Sequence, residues 1–337
     1  MKLEAIKLRF YTPVHLGRGL EEMDKSGTIY HSDSLKSAIF SVGLAYYPHW
    51  AENDAETFFS GFQISSCFPY AGEEYFLPKP LLNIRFEFQG ISEDRQAKTG
   101  KKISFLSVPV FSRFVNSAEG GVLRIDKKQL SRDGEFICEN PVTASRTFYR
   151  TELQQRVSVP REGDEGQPRP FYLDRIYFEE GCGMYFLADF KENSTLREEV
   201  LQALKLLGDQ GIGTDRTVGN GLFSFDPSID VSSIELDLQP LHGRKLALGL
   251  FLPAREEFEN IDLDKSSWML LKRGGYMGGT SEERFLSIRK NSIYFWGEGS
   301  VFASDTPLKG KKVDLKPEWG EPMHPVWRDG QCLFLEI

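Results

Sequence analysis

Apolar and polar residues alternate with a period of two at the start of the chain. Between residues 2 and 11, Ile6, Leu8 and Phe10 fall on one side and basic residues lie between them. Side chains of a β-strand point alternately to opposite faces, so this stretch predicts a half-buried strand. A glycine-containing turn at residues 15–19 follows.

After residue 31 the apolar spacing changes to three and four residues. One helical face carries Leu35, Ala38, Ile39, Val42 and Tyr46. This spacing predicts a helix, and Ser32 or Asp33 is its expected N-cap because short polar side chains accept hydrogen bonds from the first free N–H groups. A second helix is predicted at residues 195–207, where leucines again share one face.

The stretch between those helices predicts mainly strands. Residues 63–88 contain short aromatic strand candidates separated by prolines, residues 104–114 are again strand-like, and residues 174–190 predict a strand with a glycine turn. Residues 90–102 are polar and charged, which favours a connection. Residues 139–170 have no clear period and predict a protruding loop or hairpin rather than core.

The order of these elements predicts the fold class. A glycine-rich loop at residues 208–221 follows the second helix and leads into a strand. With the 139–170 insertion set aside, residues 1–228 follow the β-α-β-β-α-β order of a ferredoxin-like domain. Residues 226–238 are expected to be a linker. Later strand candidates predict a second, degenerate ferredoxin-like domain over residues 229–337, so the predicted class is α+β with two ferredoxin-like (RRM-like) domains.

Composition changes this interpretation in one respect, the net charge. Apolar residues make up 40% of the chain and charged residues 27%, which is typical of a globular protein. The formal net charge of −8 disfavours a uniformly basic nucleic-acid binder. A local basic groove on an acidic body would still attract phosphate within about 10 Å, and the acidic remainder would suit contacts with protein subunits.

The cysteines and the hydropathy exclude several classes. Cys67, Cys138, Cys182 and Cys332 are far apart and form no C-x-x-C pair, so no zinc site is indicated. Four cysteines are too few for a disulfide scaffold and fit a reducing cytoplasm. The first residues lack the apolar segment of a signal peptide, and no run of about 18 apolar residues occurs. We expect a cytoplasmic chain with no membrane partner, metal or cofactor.

The glycine-rich loop is the strongest candidate for a binding site. Its glycines are Gly211, Gly213, Gly219 and Gly221, and between them lie Thr214, Asp215, Arg216 and Thr217. Glycine permits positive φ, and successive N–H groups in such a loop form a nest for phosphate oxygens. The alternative is a helix C-cap followed by an ordinary turn. The loop follows a helix and lacks Gly-Lys-Ser/Thr, so it is neither a dinucleotide loop nor a P-loop.

The start of the first helix is a second candidate for anion binding. Free N–H groups at a helix N-terminus attract negative charge, and Ser34 and Lys36 would assist there. Capping alone is the alternative for Ser32 and Asp33. In a ferredoxin-like fold both helices lie on one face of the sheet, so this helix start and the glycine-rich loop would border one groove.

Catalytic chemistry has little support in the sequence. His31 could act as a general base with His15 as its partner, but histidines in such settings are more often structural or exposed. No paired carboxylates, metal cluster or nucleophile elbow stands out. We therefore predict no catalytic residue.

Arginines in the 139–170 insertion form a third candidate. They are Arg146, Arg150, Arg156, Arg161 and Arg169, with Phe148 and Tyr149 between the first two. Between residues 141 and 161, four arginines face one acid, Glu152, which gives a net charge of +3. Such a segment would track an RNA backbone and stack bases on its aromatic rings. A solvated surface loop is the alternative.

Five segments together carry a family resemblance. Residues 31–39 (His-Ser-Asp-Ser-Leu-Lys-Ser-Ala-Ile), 211–223, 271–275, 297–301 and 324–330 occur in order from near the start to the end of the chain. They resemble the RAMP superfamily of CRISPR proteins, and within it the type III-A (Csm complex) subunit that binds the 5′ tag of the crRNA. The match is most detailed in the glycine-rich loop.

The resemblance implies a non-catalytic RNA-binding subunit with two ferredoxin-like domains. It implies contacts with the crRNA 5′ tag, the large Palm-domain subunit and a neighbouring RAMP backbone subunit. It also implies a thumb-like hairpin, here residues 139–170, beside target RNA at the tag-proximal end. The candidate RNA-contacting residues are then His15, Arg18, Ser32, Ser34, Lys36, Arg146, Arg150, Arg156, Gly211, Gly213, Thr214, Asp215, Arg216, Thr217, Gly219, Gly221 and Arg273.

Three alternatives remain open at this point. A RAMP endoribonuclease that cuts CRISPR repeats carries its glycine-rich loop near the C-terminus, whereas here over 100 residues follow Gly221. The corresponding subunit of a type III-B complex is the second alternative, and the first-helix motif favours type III-A. The third is an interaction module that binds no RNA, which the acidic net charge would suit.

Overall fold

A computed structural model describes residues 2–17, 25–117, 119–158, 167–239, 243–277, 285, 288–318 and 323–337. The strands are β1 (Lys2–Phe10), β2 (Gln63–Ile64), β3 (Phe68–Ala71), β4 (Glu74–Pro78), β5 (Arg85–Gln89), β6 (Phe105–Ser107), β7 (Val122–Asp126), β8 (Phe136–Ile137), β9 (Tyr149–Ser158), β10 (Arg169–Phe178), β11 (Cys182–Asp189), β12 (Phe223–Ser224), β13 (Val231–Glu235), β14 (Arg244–Ala247), β15 (Asp262–Ser267), β16 (Leu270–Arg273), β17 (Ile293–Trp296), β18 (Val301–Ala303), β19 (Lys312–Asp314), β20 (Trp327–Asp329) and β21 (Phe334–Glu336). The helices are α1 (Ser32–Gly43), α2 (Glu52–Gly61), α3 (Glu93–Lys102), α4 (Val108–Val115), α5 (Pro141–Ala144), α6 (Ser194–Gln210), α7 (Pro227–Asp230) and α8 (Arg255–Glu259), and short 3₁₀ helices occur at Pro48–Ala51, Lys127–Gln129 and Arg216–Val218.

We call the part of the chain up to β13 the first unit and the part from β14 onward the second unit. The first unit is built on a nine-stranded sheet in which β1 has neighbours on both sides. The strand order is β12-β1-β11-β3-β4-β6-β8, with β13 also paired to β1 and β2 to β11. Pairing of β1 with β11 is antiparallel and sets Ile6 opposite Phe186. The succession β1, α1, β3, β11, α6, β12 follows the predicted β-α-β-β-α-β order. The predicted α+β class is confirmed.

Each face of this sheet packs against a different layer. On one face, Ile6 and Phe186 join Leu35 and Ile39 of α1 and Leu204 of α6 in one buried cluster. The apolar side of each helix therefore covers the sheet, as its spacing predicted. Residues of the opposite face belong to a second cluster that continues into β14 and β21, so the two units share a core.

Strands dominate the described part of the second unit. Its main sheet has the order β15-β18-β14-β21, and β16-β17 and β19-β20 form two further antiparallel pairs. Strand β14 pairs on one side with β18 and on the other with β21. Phe251, Trp296 and Phe302 fill the core of this unit. Among the described helices, none has the length and apolar character needed to cross a membrane.

The structure corrects three predictions of secondary structure. Residues 104–114 form the short strand β6 and then α4, because Pro109 lies in the first turn of a helix and Phe111 and Phe114 are buried on one face. Residues 90–102 contain α3, whose polar surface has no buried residue. Residues 226–238 are not a linker, since α7 and β13 lie there and β13 pairs with β1.

Candidate nucleic-acid interface

The glycine-rich loop follows α6 and packs against the segment that leaves β1. Thr214 N–H donates to the His15 carbonyl at 3.1 Å, and Gly221 N–H donates to the Pro13 carbonyl at 2.7 Å. A Cβ atom at Gly213 would lie 2.4 Å from the His15 oxygen, and one at Gly221 would lie 1.9 Å from the Ile212 oxygen. These two glycines therefore serve close backbone packing, with positive φ at both.

Between the packed glycines the loop exposes Thr214, Arg216, Thr217 and Val218, while Asp215 is half-buried. Asp215 has φ +58° and precedes a short 3₁₀ helix that starts at Arg216. Among the described residues, no acceptor binds the backbone N–H groups of Asp215, Arg216 and Thr217, and none binds the Arg216 guanidinium. Arg216 and Thr217 are exposed. Three N–H groups and a cation therefore lie at one turn, which are the groups that the predicted phosphate nest requires.

The insertion predicted at 139–170 contains a hairpin, but its bounds are shifted: α5 occupies Pro141–Ala144, and the paired strands run from Tyr149 to Phe178. Strands β9 and β10 pair from Tyr149↔Phe178 to Ser158↔Arg169. Arg150 is exposed and lies over the Tyr177 ring, 5.2 Å from its centroid, and Arg175 lies over the same ring at 5.6 Å. The hairpin therefore presents cations on both of its strands.

The paired strands of the hairpin contact the glycine-rich loop along their length. Arg156 Nη1 lies 3.8 Å from Asp215 Oδ2, and Arg175 Nη1 donates to Asn220 Oδ1 at 3.4 Å. The His15 ring lies between them, with Nδ1 2.5 Å from the Asp174 carbonyl oxygen. We call this region, residues 14–17, 150–156, 174–177 and 213–220, the loop–hairpin junction. At this junction the glycine-rich loop and the arginine-bearing hairpin, which the sequence analysis proposed separately as RNA-binding segments, lie side by side.

Several residues predicted to contact RNA have partners within the protein or lie outside the described residues. Phe148 is 5% exposed and packs against Phe76 and Phe136, so it has no free face for a base. His15 is 2% exposed, and it contacts the hairpin through its ring and the glycine-rich loop through its backbone carbonyl. Arg146 donates to the Glu180 carbonyl at 2.8 Å, at the end of the hairpin that joins the sheet. Arg18 and Arg161 lie outside the described residues.

The start of α1 is a structural junction rather than an open anion site. Ser32 and Asp33 were expected to cap the helix, but His31 is the N-cap and no side chain caps it. The buried Ser32 hydroxyl instead accepts from Leu250 N–H at 2.9 Å. The hydroxyl of Ser34 accepts from Arg273 Nη2 at 2.8 Å. The second unit thus occupies the positions that were predicted for phosphate.

Lys36 was predicted to contact RNA, and that prediction is wrong. The side chain is fully buried, and Nζ lies 2.7 Å from Asp329 Oδ2. The same ammonium donates to the carbonyls of Phe59 and Phe62, each at 2.8 Å. Burial lowers the pKa of Lys36, and the charge of Asp329 opposes that shift. Three acceptors satisfy the three donors of the ammonium, so Lys36 joins the two units inside the core.

A second group of buried charges lies beside it, which we call the Asp33 cluster: Asp33, Arg273, Arg328 and Lys290. Arg273 makes a two-pronged contact with the Asp33 carboxylate at 3.0 and 3.2 Å, and Arg328 Nε lies 3.7 Å away. Burial would raise the pKa of Asp33, but the two arginines outweigh it and hold the pKa at about 2. The carboxylate stays charged and fixes both guanidinium groups.

His31 also has a structural partner. Its Nδ1 lies 2.7 Å from Glu298 Oε1, and Ser66 donates to the same oxygen. Burial would raise the pKa of Glu298, whereas His31 and Ser66 lower it below its usual range. Among the described residues, no group of three or more His, Cys, Asp or Glu side chains is arranged to hold a metal ion.

Comparisons with known proteins find relatives of similar sequence and fold. Residues 242–337 match the family model of the CRISPR Csm4 C-terminal domain. A curated Csm4 protein of Methanocaldococcus jannaschii is 23% identical over an alignment that covers 94% of this chain and 89% of the relative. A Csm4 protein of Thermococcus onnurineus is 27% identical, with coverage of 78% and 80%.

Solved structures agree in fold. The Csm4 chain of a Csm3–Csm4 subcomplex from a type III-A CRISPR-Cas interference complex matches with a TM-score of 0.65 at 19% identity, covering 100% of this chain and 99% of that one. A Csm1–Csm4 cassette in complex with cA4 matches with a TM-score of 0.61 at 21% identity, with coverage of 100% and 98%. The resemblance inferred from the sequence is confirmed: the chain is similar to Csm4 proteins over most of its length, and its C-terminal part matches the Csm4 C-terminal family model.

Some residues of these sites gave no sequence signal. Arg328 lies within one of the motifs that carried the resemblance, but its partner Asp33 lies near the opposite end of the chain, a separation that no local pattern connects. Arg175 occurs in a strand whose alternation looked ordinary. Lys290 occurs in no motif, and only the fold brings it to the Asp33 cluster.

Proposed function

We propose that this chain is the non-catalytic subunit that holds the 5′ tag of the crRNA in a type III-A CRISPR effector complex. The observation that carries the proposal is the loop–hairpin junction. There, exposed Arg216 and three N–H groups without an acceptor among the described residues lie beside a hairpin that bears Arg150 and Arg156. Proteins that bind single-stranded nucleic acid combine a cationic groove with aromatic or backbone contacts to successive nucleotides. The whole chain has a net charge of −8, whereas the junction carries exposed arginines. A local change of sign of this kind would attract RNA phosphates to the junction.

The partners follow from the same proposal. Solved relatives contain Csm4 together with Csm3 or with Csm1. We propose corresponding contacts here with a neighbouring RAMP backbone subunit and with the large Palm-domain subunit. The β9–β10 hairpin would approach target RNA at the tag-proximal end, and both units would be ferredoxin-like domains. A cytoplasmic complex is part of the proposal.

The absence of catalysis is likewise proposed. The contact of His31 Nδ1 with Glu298 joins the start of α1 to the second unit, and we assign this pair a structural role. Incubating the purified chain with CRISPR repeat RNA in the absence of metal tests this point. Site-specific cleavage that His31→Ala abolishes would overturn it.

Arg216→Ala should weaken binding of tagged guide RNA about tenfold, because a charge-assisted contact to phosphate is worth about 1.5–3 kcal/mol and 1.4 kcal/mol is a factor of ten. Fluorescence anisotropy with tagged and untagged RNA measures the effect. Arg124→Ala is the matched control, since Arg124 is 73% exposed and pairs with Glu87 outside the junction. Equal affinities for both variants would count against the nest.

The double variant Arg150→Ser/Arg156→Ser should flatten the salt dependence of RNA binding. For a single strand, each phosphate that the protein no longer neutralises lowers the slope of log K against log[salt] by about 0.7, so two arginines account for about 1.4. The slope is measured between low and physiological salt. An unaltered slope, together with dissociation of a protein subunit from the complex, would show that the hairpin is a protein interface instead.

A further inference from the structure

An open groove lies between α3 and the start of β5. Its volume is about 530 Å³, which is within the range typical of ligand pockets. Residues 84–87 form one wall, and residues 96, 97, 100 and 101 of α3 form the other. We call it the α3–β5 groove. None of its lining residues belongs to the loop–hairpin junction, so it is a separate place on the first unit.

Strand β5 has an edge that faces α3. Among the described strands, only β7 pairs with β5, and on that side Arg85 N–H donates to the Gly121 carbonyl at 3.0 Å. On the opposite edge, the Gln96 side chain binds both backbone groups of Phe88: Oε1 accepts from the N–H and Nε2 donates to the carbonyl, each at 2.8 Å. At this one position Gln96 therefore takes the place of a neighbouring strand.

Phe86 offers the same two backbone groups without a partner. Residues two apart in a strand point their N–H and C=O groups to the same side, so those of Phe86 face α3 as those of Phe88 do. Within the described ranges, no backbone or side-chain group binds them. Gly100 lies opposite, one turn after Gln96, and a Cβ atom there would lie 3.8 Å from Phe86 Cδ2. An unpaired donor and acceptor on a strand edge are a template for a further strand.

The rim of the groove is cationic. Its charged lining residues are Lys79, Arg85, Lys101 and Glu87. Glu87 already pairs with Arg124 at 3.2 Å, whereas no carboxylate of the described residues pairs with the three cations. The half-buried ammonium of Lys79 donates to the Gly100 carbonyl at 3.2 Å. In a chain of net charge −8, this rim favours an acidic ligand.

We propose that the α3–β5 groove takes an extended, acidic segment of a partner protein, which adds as a strand to the edge of β5 at Phe86. A peptide backbone supplies both the acceptor and the donor that Phe86 needs, and main-chain bonds of this kind give strand addition its affinity. Carboxylate side chains of the segment would face Lys79 and Lys101. RNA also carries negative charge, but a phosphate offers no donor to the Phe86 carbonyl, so the geometry favours a peptide. The inference goes beyond the proposed function, since it concerns a different ligand at a different place.

Gly100→Leu tests the groove with little disturbance of the fold. A Cβ atom at Gly100 meets ring atoms of Phe86 and Phe88 at 3.8 and 3.9 Å, which is ordinary contact, and the rest of the leucine would fill the space in front of Phe86. Leucine is the better helix former, so the Tm should be equal to that of the wild type or higher. The probe is a short fluorescein-labelled peptide of alternating valine and glutamate. Its affinity for full-length Gly100→Leu, measured by fluorescence anisotropy, should be at least about tenfold weaker, because two main-chain hydrogen bonds are lost.

Two further peptides separate strand addition from charge attraction. A peptide with N-methyl groups at alternate residues lacks the donors, and one with lysine in place of glutamate has the opposite charge. Each should bind the wild type at least about tenfold more weakly than the glutamate peptide does. Lys101→Glu should weaken binding of the glutamate peptide about fivefold. Lys128→Glu changes the net charge equally at an exposed lysine outside the groove and should leave the affinity unchanged.

Each possible result decides the proposal. Equal binding of the glutamate peptide to the wild type and to Gly100→Leu overturns it, and so does a wild type that binds none at about 1 mM peptide. Equal binding of the N-methylated peptide shows charge attraction without strand addition and also overturns it. If Gly100→Leu lowers the affinity for single-stranded RNA instead, the groove belongs to the RNA site and the peptide proposal fails. Should Gly100→Leu unfold at a lower Tm, Lys101→Glu and the N-methylated peptide decide. A wild type that binds no RNA would defeat the proposed function and leave these peptide results intact.

Discussion

Gly213→Val should destabilise the chain by about 3 to 5 kcal/mol, which combines left-handed backbone strain with overpacking. The glycine has φ +87°, and a Cβ atom there would lie 2.4 Å from the carbonyl oxygen of His15. That oxygen already accepts a hydrogen bond from Thr214 N–H. Moving the loop away from the segment that follows β1, to make room for the new side chain, would therefore break this hydrogen bond. Urea denaturation of the purified chain measures the decrease in stability.

Gly219→Ala provides the matched control within the same loop. Gly219 has φ +83°, but nothing lies within 4 Å of the Cβ position. The decrease in stability should be limited to the backbone strain of about 1–2 kcal/mol. If Gly213→Val and Gly219→Ala cost the same, close packing against His15 is not what requires glycine at residue 213.

Lys36→Met should cost about 3–5 kcal/mol, because it leaves the carboxylate of Asp329 buried without its cation. The pair is 2.7 Å apart, and both side chains are almost completely buried. Burial already raises the pKa of Asp329 above its usual value even with Lys36 present. In the variant that pKa rises further, so stability is lost as the pH rises through it. Thermal unfolding should therefore show a larger deficit at pH 7 than at pH 5.

The double variant Lys36→Met/Asp329→Asn tests the pairing directly. Removing the stranded charge should recover a large part of the stability, which is the signature of coupled residues. RNA affinity per folded molecule should stay at the wild-type value, since Lys36 does not reach the surface. A change in the salt slope of RNA binding, without a change in stability, would contradict this assignment.

Lys36 also shows where prediction from the sequence ends. The apolar spacing of α1 and α6 and the alternation in β1 depend on neighbouring residues, so the order of the first unit was predictable. Lysines are mostly exposed, and a lysine in the first turns of a helix favours a solvent-facing interpretation. Its true environment comes from Asp329, near the opposite end of the chain and beyond the reach of any local pattern. Such long-range partners are set by the packing of the two units.

Two other errors have the same physical basis. The run that became α4 is rich in Val and Phe, and a short apolar run does not distinguish a buried helix from a strand by its period. Phe148 follows an arginine-bearing stretch and looked like a stacking platform, yet it belongs to the core. The loop–hairpin junction was predictable in part, because glycine spacing and a cluster of arginines are local features, whereas the contact between them is not.

The central position of β1 has a consequence for the newly made chain. Its partners β11, β12 and β13 are completed only at Asp189, Ser224 and Glu235, so β1 waits on the ribosome for most of the first unit. At about 5–20 residues per second, that interval is roughly 10 to 50 s. During it, the apolar side of β1 has none of its final neighbours in the sheet. Slower translation before Glu235 would therefore lengthen the time for which this strand is exposed.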